Sequence, residues 1–123
     1  KIYCRNLMSK ILIIDDEPLS SSLIQAMIEP EGYDVIIANS GQDGIEAVQQ
    51  ENPDVILLDL MMPGINGWQV CKTIRAFSQT PILILSAVID PNRVMQALEM
   101  GATDYLVKPV PKGVLISYLR SFE

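Results

Sequence analysis

Ile11-Leu12-Ile13-Ile14-Asp15-Asp16-Glu17-Pro18 decides the reading of this chain: four apolar residues with no polar alternation, two adjacent carboxylates, then a proline suited to the first turn of a helix. The same grammar recurs at Val55-Ile56-Leu57-Leu58-Asp59 and at Tyr105-Leu106-Val107-Lys108-Pro109. Apolar runs of this length without period-two alternation read as strands buried on both faces, which is the habit of a parallel sheet. In an open parallel sheet the carboxyl ends of the strands share one edge, and ligands bind in the crevice there. Asp15, Asp16, Asp59 and Lys108 are therefore predicted to meet in one pocket.

Working outward, strands are expected over 11–14, 35–38, 55–59, 81–86 and 104–107. Helices are expected over 18–29, with Leu19, Leu23 and Met27 at i, i+4 and i+8, and over 41–51, with Ser40 as N-cap. Pro63-Gly64-Ile65-Asn66-Gly67 makes a turn-rich loop, after which Val70, Cys71, Ile74 and Phe77 form the inward face of a third helix. Helices over 91–100, closed by Gly101, and over 111–122 complete five βα units. Right-handed crossovers limit the topology to a doubly wound order. The expected fold is α/β, a doubly wound five-stranded parallel sheet in the order 2-1-3-4-5, flavodoxin-like, with helices on both faces. Residues 1–7 read as a leader, an alternative start or a cloning remnant, and residues 8–123 as one domain.

Bulk properties set bounds on function. A chain of 123 residues with 49% hydrophobic and 20% charged residues has an ordinary globular composition and should bury roughly two-thirds of its unfolded surface. The net charge of −6 opposes direct binding to nucleic acid, whose phosphates require a basic surface. No apolar run approaches the ~20 residues that span a bilayer. Cys4 and Cys71 form no disulfide framework or metal-ligand spacing, so Cys71 reads as a small core residue, Cys4 as a free thiol, and the compartment as a reducing cytoplasm. The chain has no histidine, which removes Ser-His-Asp and Cys-His catalysis and every histidine-ligated metal site.

Taken singly, the Asp pair would be a loop or helix cap and Lys108 a solvated lysine. Together at neighbouring strand ends, three ionised carboxylates against one ammonium leave a charge of about −2, and like charges ~4 Å apart repel by ~4 kcal/mol at an effective dielectric near 20. Such a pocket rejects a phosphoryl dianion until a cation neutralises it. Oxygen-only donors favour Mg²⁺. Asp59, on what should be the central strand, is the best placed nucleophile, with Lys108 and the Ser86 hydroxyl near the phosphoryl oxygens.

Over residues 9–122 the sequence resembles the receiver domains of two-component response regulators, a CheY-like superfamily. The stretches that carry the resemblance are ILIIDDEP (11–18), SGQDGIEAV (40–48), PDVILLDLMMPGING (53–67), PILILSA (81–87) and GATDYLVKP (101–109). The resemblance implies that Asp59 is the phosphoacceptor, served by a histidine kinase or phosphotransfer protein. It implies that Asp15, Asp16, Asp59 and the Met61 backbone carbonyl hold Mg²⁺. Ser86 would be the switch hydroxyl, Lys108 the phosphoryl contact before a cis Lys108-Pro109 bond, and Tyr105 the aromatic that changes rotamer with Ser86. Small Ala87 would leave room for both donor and ring. Such a protein is a switch that catalyses only its own phosphorylation and dephosphorylation. Its output face is the fourth helix, fifth strand and fifth helix (α4 over 91–100, β5 over 104–107, α5 over 111–122), and this α4-β5-α5 face can serve an effector domain or protein, or a homodimer.

Some positions depart from the family pattern. Ser86 stands where threonine is common, Val110 where phenylalanine often follows Lys-Pro, and the last helix is unusually apolar: Val114, Leu115, Ile116, Tyr118, Leu119 and Phe122 are either core or an interaction surface. Its charges, Lys112, Arg120 and Glu123, give thin support to a charge-paired dimer. Glu17 is expected in solvent, with Met61 and Met62 packing or shielding the site. The competing readings are a Mg²⁺-dependent aspartyl-phosphate phosphatase, an FMN binder and a receiver acting purely as a docking module. Against the first, the place two residues after Asp59, where such enzymes put an acid, is Met61; against the second, no Gly/Ser/Thr-rich phosphate loop is visible.

Overall fold

Five strands form one parallel sheet in the order β2-β1-β3-β4-β5, the order expected. The computed structural model describes residues 10–123 apart from 63, 65 and 88. The proposed leader at 1–7, and Cys4 with it, lies outside the described residues. Along the chain run β1 (Lys10–Ile14), α1 (Pro18–Ile28), a 3₁₀ turn (Glu29–Glu31), β2 (Asp34–Ala38), α2 (Gly41–Glu51), β3 (Val55–Leu58), α3 (Gly67–Arg75), β4 (Ile82–Ser86), α4 (Pro91–Glu99), β5 (Asp104–Val107) and α5 (Lys112–Arg120).

The unbroken apolar strands are explained by two separate cores, one on each face. Leu12, Ile14, Ile56, Leu58, Ile82 and Ile84 pack with Ile45 and Val48 of α2, Val70, Cys71 and Ile74 of α3 and Ala97 of α4. Their neighbours Ile11, Ile13, Val55, Leu57, Leu83 and Leu85 point the other way, onto Ile24 and Ile28 of α1 and Leu115, Ile116 and Leu119 of α5. The central strands β1, β3 and β4 thus carry unbroken apolar runs because helices cover both of their faces, whereas the edge strands β2 and β5 begin at Asp34 and Asp104 and are less buried.

Caps set the helix starts. Ser40 Oγ accepts the Asp43 N–H at 3.0 Å, Asn66 Oδ1 that of Gln69 at 3.0 Å, and Asp90 Oδ1 that of Asn92 at 3.0 Å. Gly101, at φ 111°, turns the chain after α4, and its carbonyl accepts from Arg75 Nε at 2.9 Å.

Two expected faces are corrected. Leu19 and Leu23 do not face the core: they are 84% and 65% exposed, and α1 buries Ser21, Ile24 and Ile28 instead. Both stripes fit a helical period, and packing of Ile24 and Ile28 with β1, β3 and α5 buries the second. Phe77 is likewise exposed, because α3 ends at Arg75, whose guanidinium donates to the Ser78 carbonyl at 3.1 Å and draws the chain out of helical register. The apolar α5 is explained mainly as core, since Leu115, Ile116 and Leu119 are buried, leaving Val114 exposed.

Both ends of α5 are tied to the segment that leads into β2. Arg120 and Lys112 both pair with Glu31, at 2.9 and 3.4 Å, and the Tyr33 hydroxyl donates to Glu123 at 2.7 Å. The two cations of α5 are therefore engaged within the chain. Burial, then the Glu123 bond and charge, push the Tyr33 hydroxyl from 10.0 to about 12. A folded pKa above the unfolded one means that this stabilisation is complete below about pH 10 and is lost as pH rises toward 12. The stability gap between the wild type and Tyr33→Phe should accordingly narrow over that window in urea melts; a gap independent of pH would exclude Tyr33 as its source.

Candidate functional site

Backbone hydrogen bonds carry the sheet one residue past the strand ends, and the key side chains stand on those residues. The Asp15 N–H donates to the Ala38 carbonyl at 3.0 Å, the Asp59 N–H to the Ile14 carbonyl at 3.0 Å, and the Lys108 N–H to the Ser86 carbonyl at 2.8 Å. Three chain segments distant in sequence are thus locked at one edge by sheet geometry. The Lys108-Pro109 bond is cis, as the resemblance implied.

Oxygens of Asp15, Asp16 and Asp59 lie within 4.8 Å of one another. Asp15 is 1% exposed; Asp16 and Asp59 are half-buried. The Lys108 ammonium reaches in from the end of β5, across β4, to lie 3.3 Å from Asp15 Oδ2 and 3.6 Å from Asp59 Oδ2. The Met61 N–H donates to Asp59 Oδ1 at 3.1 Å, and the Glu17 N–H to Asp15 Oδ1 at 3.0 Å. Burial pushes the Asp59 carboxyl above its ordinary value, with the Met61 N–H and the Lys108 charge opposing and the Asp15 charge adding to the rise. The same carboxylate set, hard oxygen donors with excess negative charge, fits a divalent cation.

Asp16, Glu17, Pro18, Asp59, Met61, Ala87 and Lys108 line a cavity of about 430 Å³ over this cluster. Glu17 is exposed, as expected; Met62 is buried and Met61 55% exposed, so packing and rim are divided between the two methionines. Ser86 is fully buried at the end of β4, beside Tyr105. Burial raises the Tyr105 hydroxyl, the Ser86 hydroxyl bound to it lowers it, and the Asp59 charge raises it again. All the expected site residues therefore converge on one edge of the sheet. Next to them, Trp68 of α3 is buried beneath α4: its indole N–H donates to the Arg93 carbonyl at 3.3 Å, and the Arg93 guanidinium lies 5.4 Å from the ring centroid.

Two contributors escaped the sequence reading. Ser20 Oγ accepts from the Lys108 ammonium at 3.0 Å, and Asn39 Nδ2 donates to the Asp15 carbonyl at 3.0 Å. The first has no local signal, because a serine in a helix's first turn is ordinary and its partner lies 88 residues away. The second depends on the register of β1 with β2, which no local pattern encodes.

A family model described as the response regulator receiver domain matches residues 11–120. The transcriptional regulatory protein AfsQ1 of Streptomyces coelicolor is 40% identical over 114 residues, 93% of this chain and 51% of that protein. The DNA-binding response regulator MtrA of Mycolicibacterium smegmatis is 38% identical over 112 residues, 91% and 49% respectively. The chain thus spans about half the length of these curated relatives. Among solved structures, the BeF3-activated N-terminal receiver domain of Klebsiella pneumoniae RstA superposes with a TM-score of 0.89 at 35% identity, covering 93% of this chain and 97% of that one. Vibrio cholerae chemotaxis protein CheY4 gives 0.87 at 31%, covering 94% and 99%. With that family model matching residues 11–120 and relatives 38–40% identical over more than nine-tenths of its length, the chain belongs to the receiver domains of two-component response regulators.

Proposed function

We propose that this receiver takes a phosphoryl group on Asp59 from a histidine kinase or phosphotransfer protein and relays the event through its α4-β5-α5 face to an effector domain or protein. The observation that carries this reading is the meeting of Asp15, Asp16 and Asp59 within 4.8 Å, with Lys108 held between Asp15 and Asp59. Asp15, Asp16, Asp59 and the Met61 carbonyl would hold Mg²⁺, which when bound supplies positive charge that lets a phosphoryl dianion approach. Asp59 attacks phosphorus through a carboxylate oxygen; the bond from phosphorus to the donor nitrogen or oxygen breaks, and its electron pair leaves with the donor. Lys108 and the Ser86 hydroxyl stabilise the equatorial oxygens, and Tyr105, already bound to Ser86, follows that hydroxyl.

The chain acts on itself alone in this scheme: it is a switch and not an enzyme with an external substrate. A modest coupling suffices, because about 1–3 kcal/mol alters partner affinity roughly 5- to 150-fold. With a net charge of −6, the DNA contact named in its longer relatives is assigned to other parts of such regulators, and a cytoplasmic location fits the unpaired, buried Cys71. Among the described residues no helix is long and apolar enough to cross a membrane.

Incubation with acetyl phosphate and Mg²⁺ should add one phosphoryl group by intact-protein mass spectrometry, and chelation of the metal should stop the addition. Incorporation undiminished by a chelator, or turnover of general phosphate esters, would sink the proposal in favour of a different site or of the phosphatase.

A further inference from the structure

Lys108 has a partner on α1 that the phosphoryl-transfer scheme does not use. Its ammonium carries three N–H donors. They are directed to Ser20 Oγ at 3.0 Å, Asp15 Oδ2 at 3.3 Å and, more loosely, Asp59 Oδ2 at 3.6 Å. The shortest of these contacts is to the neutral group. Ser20 stands in the first turn of α1, where the acidic cavity meets an apolar groove lined by Leu23, Ile24 and Val110 as well as by Ser20 and Lys108. A methyl group at residue 20 would leave the ammonium facing that apolar wall, with only carboxylates to turn to.

We propose that Ser20 is a positioning residue that holds Lys108 beside Asp59 without competing for it as a charge would. This inference rests on the reading of the site as a Mg²⁺-dependent phosphoacceptor. Asp15 and Asp59 each have two demands on them, the ammonium and a divalent cation. A hydroxyl that takes one of the three ammonium donors keeps the lysine charge from collapsing further onto the carboxylates. It also leaves Lys108 anchored at one side when its remaining donors turn to a phosphoryl oxygen, so less side-chain freedom is lost at that moment.

Ser20→Ala should therefore weaken Mg²⁺ binding by about threefold and slow phosphorylation by acetyl phosphate at saturating Mg²⁺ by roughly fivefold. Ser20→Thr, which restores the hydroxyl, should return both to near wild type. Because Ser20 acts through Lys108, the Ser20→Ala change should have no further effect in a Lys108→Ala background, or in Lys108→Met if the alanine form does not fold. Calorimetric Mg²⁺ titration of these proteins reads the first effect independently of any phosphorylation. A double-mutant cycle of urea midpoints without metal reads the Ser20–Lys108 contact independently of both. An unchanged Mg²⁺ affinity and phosphorylation rate in Ser20→Ala, an equal loss in the Lys108-less background, or no coupling in the urea cycle would overturn the assignment. Failure of the wild type to bind Mg²⁺ or to take up phosphoryl would instead overturn the reading of the site, leaving the urea cycle to decide on Ser20.

Discussion

Asp59→Asn is expected to abolish phosphoryl incorporation while leaving the fold at least as stable as before. Asparagine has the same shape, and its Oδ1 can still accept the Met61 N–H that Asp59 accepts at 3.1 Å. What disappears is the charge: an amide is no nucleophile at neutral pH, and one of three carboxylates is lost to a bound cation. Mg²⁺ affinity should fall at least tenfold, the equivalent of about 1.4 kcal/mol, well within the interaction of close charges at an effective dielectric near 20. Stability should move the other way. Burial raises the Asp59 carboxyl, so its ionised form opposes folding at neutral pH, and the raised folded value predicts that Asp59 stabilises the fold more as pH falls toward its protonation range. At neutral pH without metal, the urea midpoint of Asp59→Asn should match or exceed that of the wild type. Retention of phosphoryl uptake at the wild-type rate would place the acceptor elsewhere, and a large drop in midpoint would mean that the ionised carboxylate supports the fold.

The second large effect concerns Gly67, the first residue of α3. A Cβ built there runs into the Leu60 Cα and lies 2.7 Å from the Asp59 carbonyl oxygen. Both are backbone atoms next to the acceptor, and the Gly67 N–H itself donates to the Leu60 carbonyl at 3.0 Å. Relief must displace either α3 or the chain at Asp59, because no side-chain rotation can supply the room. Gly67→Ala should cost about 3 kcal/mol, at the upper end for overpacking, and lower the melting temperature by roughly 10 °C. It should also weaken Mg²⁺ binding through the displaced Asp59. Gly44→Ala meets only the Ile14 side chain, 2.6 Å away at the nearest, and should cost less. Gly113→Ala meets nothing within 4 Å, and in a helix it should be neutral or stabilising. If calorimetric melts place all three together, the close approach of α3 to the acceptor strand is not the cause.

Fold and site were legible to different depths. A parallel sheet covered on both faces followed from apolar runs without alternation, since that pattern requires helices on both sides and the two cores supply them. The convergence of Asp15, Asp59 and Lys108 followed from their place at strand ends, which a parallel sheet brings to one edge whatever the packing details. What failed were choices that only tertiary packing makes. Leu19-Leu23-Met27 and Ser21-Ile24-Ile28 are both helical stripes, and hydrophobicity favours the first, yet the direction of α1 across the sheet buries the second. Phe77 lies where α3 would continue, but Arg75 bonds to the Gly101 and Ser78 carbonyls and ends the helix. Ser20 was invisible for another reason: a serine in a first turn reads as ordinary helix chemistry, and its partner is 88 residues away.

The stacking of Arg93 over Trp68 has an optical consequence. Trp68 is the sole tryptophan of the chain, buried in the seam between α3 and α4 and bonded to the α4 backbone. Under excitation at wavelengths too long for the four tyrosines, emission therefore comes from one chromophore in one crevice, with a guanidinium on its face and a carbonyl on its indole nitrogen. Any parting of α4 from α3 would hydrate the ring and move its emission to longer wavelength. The molecule thus carries its own unlabelled gauge of that seam, a short way from the residue proposed to receive the signal.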